Sequence, residues 1–177
     1  MNANARDTSH KTRLLVHAYT EALVGVFALR LPGVAPIVRA NAPSMCVESS
    51  FEGEHINLNS EAIVDACEWS GPKIMTCIDQ LTGAFVAAMW DTLKSHSNYA
   101  AISTMPEIQF FRHLRNACGH DGKWNFTVLN HPAVWRDKEL KQEHSGSKVF
   151  GGMLKHGDVV LLVIDIDRKY FNSPAVC

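Results

Sequence analysis

The sequence lacks any long hydrophobic run. Uninterrupted apolar stretches such as Val159–Ile164 are far shorter than the roughly 18 residues that a membrane-spanning helix needs. The N-terminus, MNANARDTSHK, also lacks the basic start and apolar segment of a secretory signal. We therefore expect no membrane partner and a cytoplasmic location.

Cysteine is scarce and shows no pairing pattern. The chain has 5 cysteines and no CxxC motif, which suits reduced thiols better than a disulfide framework. Cys118 stands close to His120, so a cysteine nucleophile, or a metal site shared with His113, has to be weighed. Cys118 lies on an apolar helix face, which argues against both. We expect no metal ion and no cofactor.

A strong excess of either charge is also missing, because 17 Lys and Arg residues face 18 Asp and Glu residues. This balance argues against a broadly basic nucleic-acid binder. The charges are unevenly distributed, however: residues 41–72 contain acidic side chains and no Lys or Arg, whereas basic side chains predominate over residues 112–141. The basic zone could attract phosphate, although scattered solvated charges explain it equally well.

Length and composition favour one globular domain over residues 1–177, since 46% of the residues are hydrophobic. Apolar residues at three- and four-residue spacing predict helices over residues 9–30, 73–96 and 107–118. A short helix is expected over residues 61–69. The Pro-, Gly-, Asn- and Ser-rich segment 31–59 predicts a long irregular connection with an extended piece at HINL.

The C-terminal third is harder to interpret. AVWRDKEL and KVF flank the polar sequence HSGS, which predicts a small hairpin over residues 133–150 with its turn at HSGS. In residues 158–170, β-branched residues favour a strand, whereas Asp158 as a cap and the length favour a helix. The pattern as a whole predicts a mainly α fold with a small β-hairpin insertion.

Residues 110–126, FFRHLRNACGHDGKWNF, combine an amphipathic helix with polar residues at its end. Winding the helix places Arg115 between Ile108 and Phe111 on the apolar arc. A buried guanidinium needs an anionic partner, a wet cleft or a subunit interface. Gly119 favours a left-handed residue just past the helix end, which would turn His120 back toward Arg115.

These residue types suit cleavage of RNA without a metal ion. Histidine titrates near neutrality and moves protons, so His120 is the candidate general acid/base. The guanidinium fork matches phosphate, so Arg115 is the candidate for stabilising transition-state charge, with Asn116 orienting one of the two. Arg112 and Lys123 are candidate phosphate contacts. Taken singly, Arg115 could form a structural ion pair and His120 could cap the helix.

The sequence RNACGH at residues 115–120 resembles the Arg-x4-6-His motif of the HEPN superfamily, with the alignable part mainly at residues 73–126. At the position before the histidine, relatives commonly have Ala where this chain has Gly119. The resemblance implies a HEPN-like helical bundle, in which the final helix makes residues 158–170 helical. It also implies a homodimer that pools two Arg/His sets.

Many members of that superfamily are metal-independent RNA endonucleases that act as toxins, in abortive infection or in defence. The resemblance therefore implies RNA as a substrate and an antitoxin or regulatory protein as a partner. Other members have lost activity. A catalytically inactive module that binds RNA, a nucleotide or a protein is accordingly the alternative.

Overall fold

The computed structural model describes residues 3–41, 44–48, 55–59, 64–65 and 72–171. Within these ranges the chain is mainly helical, as predicted: the helices are α1 (Ala3–Ala28), α2 (Val34–Asn41), α3 (Pro72–Lys94), α4 (Tyr99–Ile102), α5 (Pro106–Cys118) and α6 (His156–Tyr170). The strands are β1 (Ser44–Glu48), β2 (His55–Asn59), β3 (Val134–Trp135) and β4 (Lys138–Glu139). None of the helices described has the length and apolar character needed to cross a membrane.

The chain divides into two compact units, one formed by residues 1–19 and 79–177 and the other by residues 20–78. In the second unit, β1 and β2 pair antiparallel from Ser44 opposite Asn59 to Glu48 opposite His55. Arg39 of α2 forms an ion pair with Asp65. A single domain over residues 1–177 stays a prediction.

The expectation of an irregular segment over residues 31–59 was wrong, because α2 and the β1–β2 ribbon occupy much of it; the extended piece at HINL is confirmed as β2. Pro36 does not prevent α2, since it falls in the first helical turn, where backbone N–H groups have no partner within the helix. Of the helix expected over residues 61–69, residues 64–65 are helical and the rest lies outside the described residues.

The core of the first unit is built around α5. Phe110, Phe111 and Leu114 are at most 1% exposed, and they pack among aromatic side chains of the neighbouring segments. The Phe110 ring meets Trp124 edge-on at 5.7 Å between centroids and lies 6.1 Å from Trp135. Buried aromatic area of this kind stabilises a core strongly, so α5 is held in a fixed position.

The hairpin predicted near residues 133–150 is present, but its turn is not at HSGS. β3 and β4 pair antiparallel, and the turn between them is Arg136–Asp137, with Arg136 in the left-handed region at φ 53°. Residues Gln142–His144 instead form a 3-10 turn. The side chain of Arg136 is held by Asp165 of α6, whose carboxylate accepts hydrogen bonds from two of its nitrogens at 2.7 and 3.2 Å.

The helical interpretation of residues 158–170 is confirmed by α6. The helix begins at His156, so Asp158 is not its cap as expected but its third residue; Oδ2 of Asp158 accepts a hydrogen bond from the N–H of the capping residue Lys155 at 2.9 Å. The β-branched residues do not make a strand because they lie on the face of α6 that packs into the core, where Val159 and Val163 are at most 1% exposed.

Candidate functional site

Helix α5 carries the first residues of the candidate site. Its buried face is formed by Phe110, Leu114 and Ala117, whereas Arg112 and Arg115 are exposed. The prediction that Arg115 faces packing was therefore wrong for the single chain. The prediction relied on Ile108, which lies on the same side of the helix as Arg115. Ile108 is buried near the start of the helix, whereas Arg115, about two turns later, faces solvent.

The turn after α5 also differs from its prediction. Gly119 is not left-handed: its φ is −82°, and its N–H still donates to the carbonyl of Arg115 at 3.3 Å. The left-handed residues are Asp121 at φ 54° and Gly122 at φ 66°. The chain therefore changes direction two residues later than expected, and His120 lies in the first turn beyond the helix, exposed to solvent.

This turn is fixed to the following loop by backbone hydrogen bonds. The N–H of Trp124 donates to the carbonyl of Ser147 at 3.0 Å, and the N–H of Val149 donates to the carbonyl of Gly122 at 2.9 Å. Trp124 is 1% exposed, so the turn is anchored in the core as well. His120 is thus carried by a well-anchored segment.

The candidate side chains have no hydrogen-bond or ion-pair partners among the described residues. In the part of the chain that the structure describes, no side-chain hydrogen bond or ion pair involves any of the five candidate residues: Arg112, Arg115, Asn116, His120 and Lys123. Asn116 is half-buried and the other four are exposed. Neither the structural ion pair considered for Arg115 nor the side-chain cap considered for His120 is present there, so these groups remain able to bind a ligand.

Cys118 cannot compete for the role of nucleophile. Burial raises the pKa of its thiol to about 11, and the charge of Asp79 acts in the same direction. The thiolate is the reactive form of cysteine, and it is very scarce near neutrality at such a pKa. Cys118 of α5 also packs closely against Gly83 of α3: a Cβ added to Gly83 would lie 3.6 Å from the Cβ of Cys118.

His113 is likewise a packing residue. Its ring meets Phe126 edge-on at 5.2 Å. Burial lowers the pKa of His113, and the neighbouring Arg112 lowers it further. Among the described residues, no group of three His, Cys, Asp or Glu side chains is placed to hold a metal ion.

Sequence reasoning missed two features near the site. Lys148 stands directly opposite Lys123 across an antiparallel bridge, which no spacing rule could have indicated because the two are 25 residues apart (148 − 123). The second is His156, which forms a 2.6 Å hydrogen bond with Asp79 and stacks on Phe150 at 4.5 Å between ring centroids.

Comparison of the chain with protein-family models, with curated proteins and with solved structures finds no match.

Proposed function

We propose that the chain is a metal-independent RNA endonuclease of the HEPN type, with Arg115, Asn116 and His120 at its active site. The observation that carries the proposal is the unpartnered, exposed state of Arg115 and His120 at the end of a helix that is itself firmly packed. Among the described residues neither group has a side-chain hydrogen bond or an ion pair, and an arginine fork and an imidazole suit a phosphodiester.

The reaction uses the nucleophile that RNA already contains. The 2'-oxygen attacks the adjacent phosphorus, the bond from phosphorus to the 5'-oxygen breaks, and the products carry a 2',3'-cyclic phosphate and a 5'-hydroxyl. One proton leaves the 2'-hydroxyl and another is delivered to the departing 5'-oxygen. Arg115 stabilises the negative charge that develops on the non-bridging oxygens.

Two proton transfers favour two histidines. A single neutral imidazole can accept the first proton, but a second, protonated group is best suited to supply the leaving oxygen. We propose that two copies of the chain bring their α5 ends together, so that one His120 acts as base and the other as acid. The exposure of Arg115 in the single chain supports this arrangement, since a subunit interface would then cover it.

The central test is cleavage of a labelled single-stranded RNA in EDTA. We expect cleavage by the wild type and a loss of about 100-fold or more in Arg115→Ala and His120→Ala, because each group acts in the transition state. His131→Ala, a change at another exposed histidine, is the control and should cleave at the wild-type rate. An RNA with a single 2'-deoxynucleotide at the cut position should resist cleavage.

Pooling of the two sites has its own test. Wild-type chains are mixed with an excess of His120→Ala chains and allowed to exchange subunits. A mixed dimer has one histidine at the shared site instead of two, so the activity per wild-type chain should fall sharply. An unchanged activity per wild-type chain, in samples shown by native mass spectrometry to contain mixed dimers, argues for a site within one chain.

The alternative is a catalytically inactive HEPN module that binds RNA, a nucleotide or a partner protein. It is favoured by Arg112 and Lys123, exposed cations that form no ion pair among the described residues and that suit phosphate binding whether or not cleavage follows. If the wild type and all variants leave the RNA intact but still bind it, this alternative is supported. A toxin, abortive-infection or defence role and an antitoxin or regulatory partner are proposals that rest on the HEPN resemblance. A cytoplasmic location is a proposal that rests on the lack of a signal-like segment in the sequence.

A further inference from the structure

Two lysines beside the proposed active site are held side by side. Lys123 and Lys148 are opposite residues of an antiparallel bridge, and the flanking bonds run from Trp124 N–H to Ser147 and from Val149 N–H to Gly122. This pattern makes Lys123 and Lys148 a non-hydrogen-bonded pair, in which the Cα atoms approach to about 4.5 Å and the side chains share one face. Like charges placed directly opposite destabilise a bridge.

No carboxylate relieves this repulsion. Lys123 and Lys148 are both exposed, and within the described ranges neither forms an ion pair. Other cations of the same unit do have partners, such as Lys169 with Glu107. Two adjacent lysines without a carboxylate partner create a positive potential that favours an anion.

The loop that carries Lys148 adds a concave wall. Residues of this loop line an open pocket of about 540 Å³: His144, Ser147, Lys148, Phe150, Gly151, Gly152 and Met153. Among the described residues, the backbone N–H groups of Gly152 and Met153 donate to no carbonyl. Free N–H groups in a glycine-containing turn favour an oxyanion.

Gly152 has a specific role in shaping this loop. A Cβ at residue 152 would lie 2.5 Å from the carbonyl oxygen of Lys148, far inside contact distance, so any side chain there must displace the Lys148 backbone. The tight turn and the position of Lys148 therefore depend on each other. A change at Gly152 tests the geometry of the site without changing its charge.

The lysine pair also adjoins the proposed cleavage site, because the N–H of Lys123 donates to the carbonyl of His120 at 3.1 Å. We infer that Lys123 and Lys148, together with the loop of residues 144–153, bind a backbone phosphate of single-stranded RNA next to the phosphate that is cut. The choice of RNA rests on the proposed function, whereas the phosphate chemistry rests on the lysine pair and the loop.

The inference is tested by RNA binding in the His120→Ala chain, in which the substrate stays intact. Fluorescence anisotropy of a labelled single-stranded RNA is measured at several salt concentrations. Each lysine-to-alanine change should lower the slope of log affinity against log salt by about 0.7. The affinity itself should fall by up to about fivefold, as expected for an exposed ion pair. Lys94→Ala, at an exposed lysine without an ion pair, is the control.

Gly152→Ala should weaken RNA binding although it removes no charge, whereas Gly157→Ala should not, because a Cβ at Gly157 meets nothing within 4 Å. Circular dichroism establishes that each variant is folded. If Gly152→Ala does not fold, Lys148→Arg, which keeps the charge and should keep the slope, compared with Lys148→Ala, decides the question.

Failure of this inference can be distinguished from failure of the proposed function. Cleavage by the wild type, with the salt slope unchanged in both lysine variants, overturns the phosphate subsite and leaves the nuclease proposal standing. RNA binding that depends on both lysines, without cleavage, supports the subsite and overturns the nuclease. Displacement of the RNA by equimolar 5'-AMP, or no RNA binding at all, overturns the assignment to an RNA backbone phosphate.

Discussion

Trp135 donates a hydrogen bond from its indole Nε1 to Oδ2 of Asp165 at 3.0 Å, which joins the β3–β4 hairpin to α6. Arg136 binds the same carboxylate with two nitrogens. Burial by itself would raise the pKa of Asp165, but the hydrogen bonds from Arg136 and Trp135 outweigh it and lower that pKa below its ordinary value. One carboxylate thus satisfies a buried indole and holds a strained hairpin residue.

Replacing Asp165 should destabilise the fold. Asp165→Ala leaves the indole N–H of Trp135, a residue 2% exposed, without its acceptor, and we expect a loss of about 2 kcal/mol in the free energy of unfolding. Asp165→Asn keeps an acceptor and should lose about half as much. Urea denaturation followed by circular dichroism measures both, with Asp91→Asn, at an exposed helical position, as the control. Equal midpoints for Asp165→Ala and the control would contradict the assignment.

A second buried bond joins the first helix to the last. Ser9 Oγ donates to Asp167 Oδ2 at 3.3 Å, and both residues are 4% exposed. Ser9→Ala removes a donor from a buried carboxylate, so the free energy of unfolding should fall by about 1–2 kcal/mol. Thermal unfolding compared with Ser95→Ala, whose exposed hydroxyl bonds only within its own helix end, provides the measurement. A Tm equal to that of the control would show that the bond contributes nothing.

Acid should destabilise the protein through two histidines. Burial lowers the pKa of His96, and burial together with Arg112 lowers that of His113, from the ordinary value of 6.5. The unfolded chain therefore binds these protons at higher pH than the folded chain. The stability that the protein gains from keeping these two histidines neutral is fully present above pH 6.5, and it is lost as the pH falls from 6.5 through their lowered pKa values.

The ring of His96 shows how this pH dependence arises and how to remove it. Its Nδ1 accepts the N–H of Asn98 at 3.1 Å, a bond that protonation would abolish. The decline in unfolding free energy between pH 8 and pH 5.5 should be smaller in His96→Gln than in the wild type. The exposed His131→Gln serves as the control. If the unfolding free energy of His96→Gln falls between pH 8 and pH 5.5 as much as that of the wild type, His96 is not a source of the pH dependence.

Cys118 should be inert in the folded protein. Because burial raises its pKa to about 11, alkylation by iodoacetamide at pH 8 should be slow until urea unfolds the chain. Mass spectrometry of tryptic peptides reports the modification of Cys118 separately from that of other cysteines. Cys118→Ala should retain any RNA cleavage that the wild type shows, and a loss comparable to that of His120→Ala would revive the cysteine nucleophile.

Helices with a regular apolar stripe could be predicted from the sequence. The burial of Phe111 and Leu114 in α5 follows from their spacing, and the extent of α3 follows in the same way. The hairpin turn could not be predicted, since its left-handed residue is Arg136 and the sequence there has none of the Gly or Asn residues that signal such a turn. The exposure of Arg115 was also beyond sequence reasoning, because a helical pattern identifies a face but not what covers each turn of it.

The residues of the candidate site, too, could be predicted only in part from the sequence. Arg115, Asn116 and His120 lie in one short segment, so their neighbourhood follows from the sequence alone. Lys148 lies opposite Lys123 in an isolated backbone bridge. A bridge of one residue pair leaves no periodic pattern in the sequence, so this proximity could not be predicted.

The bond between Ser9 and Asp167 spans 158 residues of chain, which bears on how the protein is made. A ribosome releases α1 long before it has synthesised α6, so α1 must wait until α6 has emerged before this contact can form. The unit formed by residues 1–19 and 79–177 thus cannot be completed before α6 has been synthesised. A stalled or truncated product that lacks α6 would leave Ser9 and its buried neighbours on α1 open to chaperones and proteases.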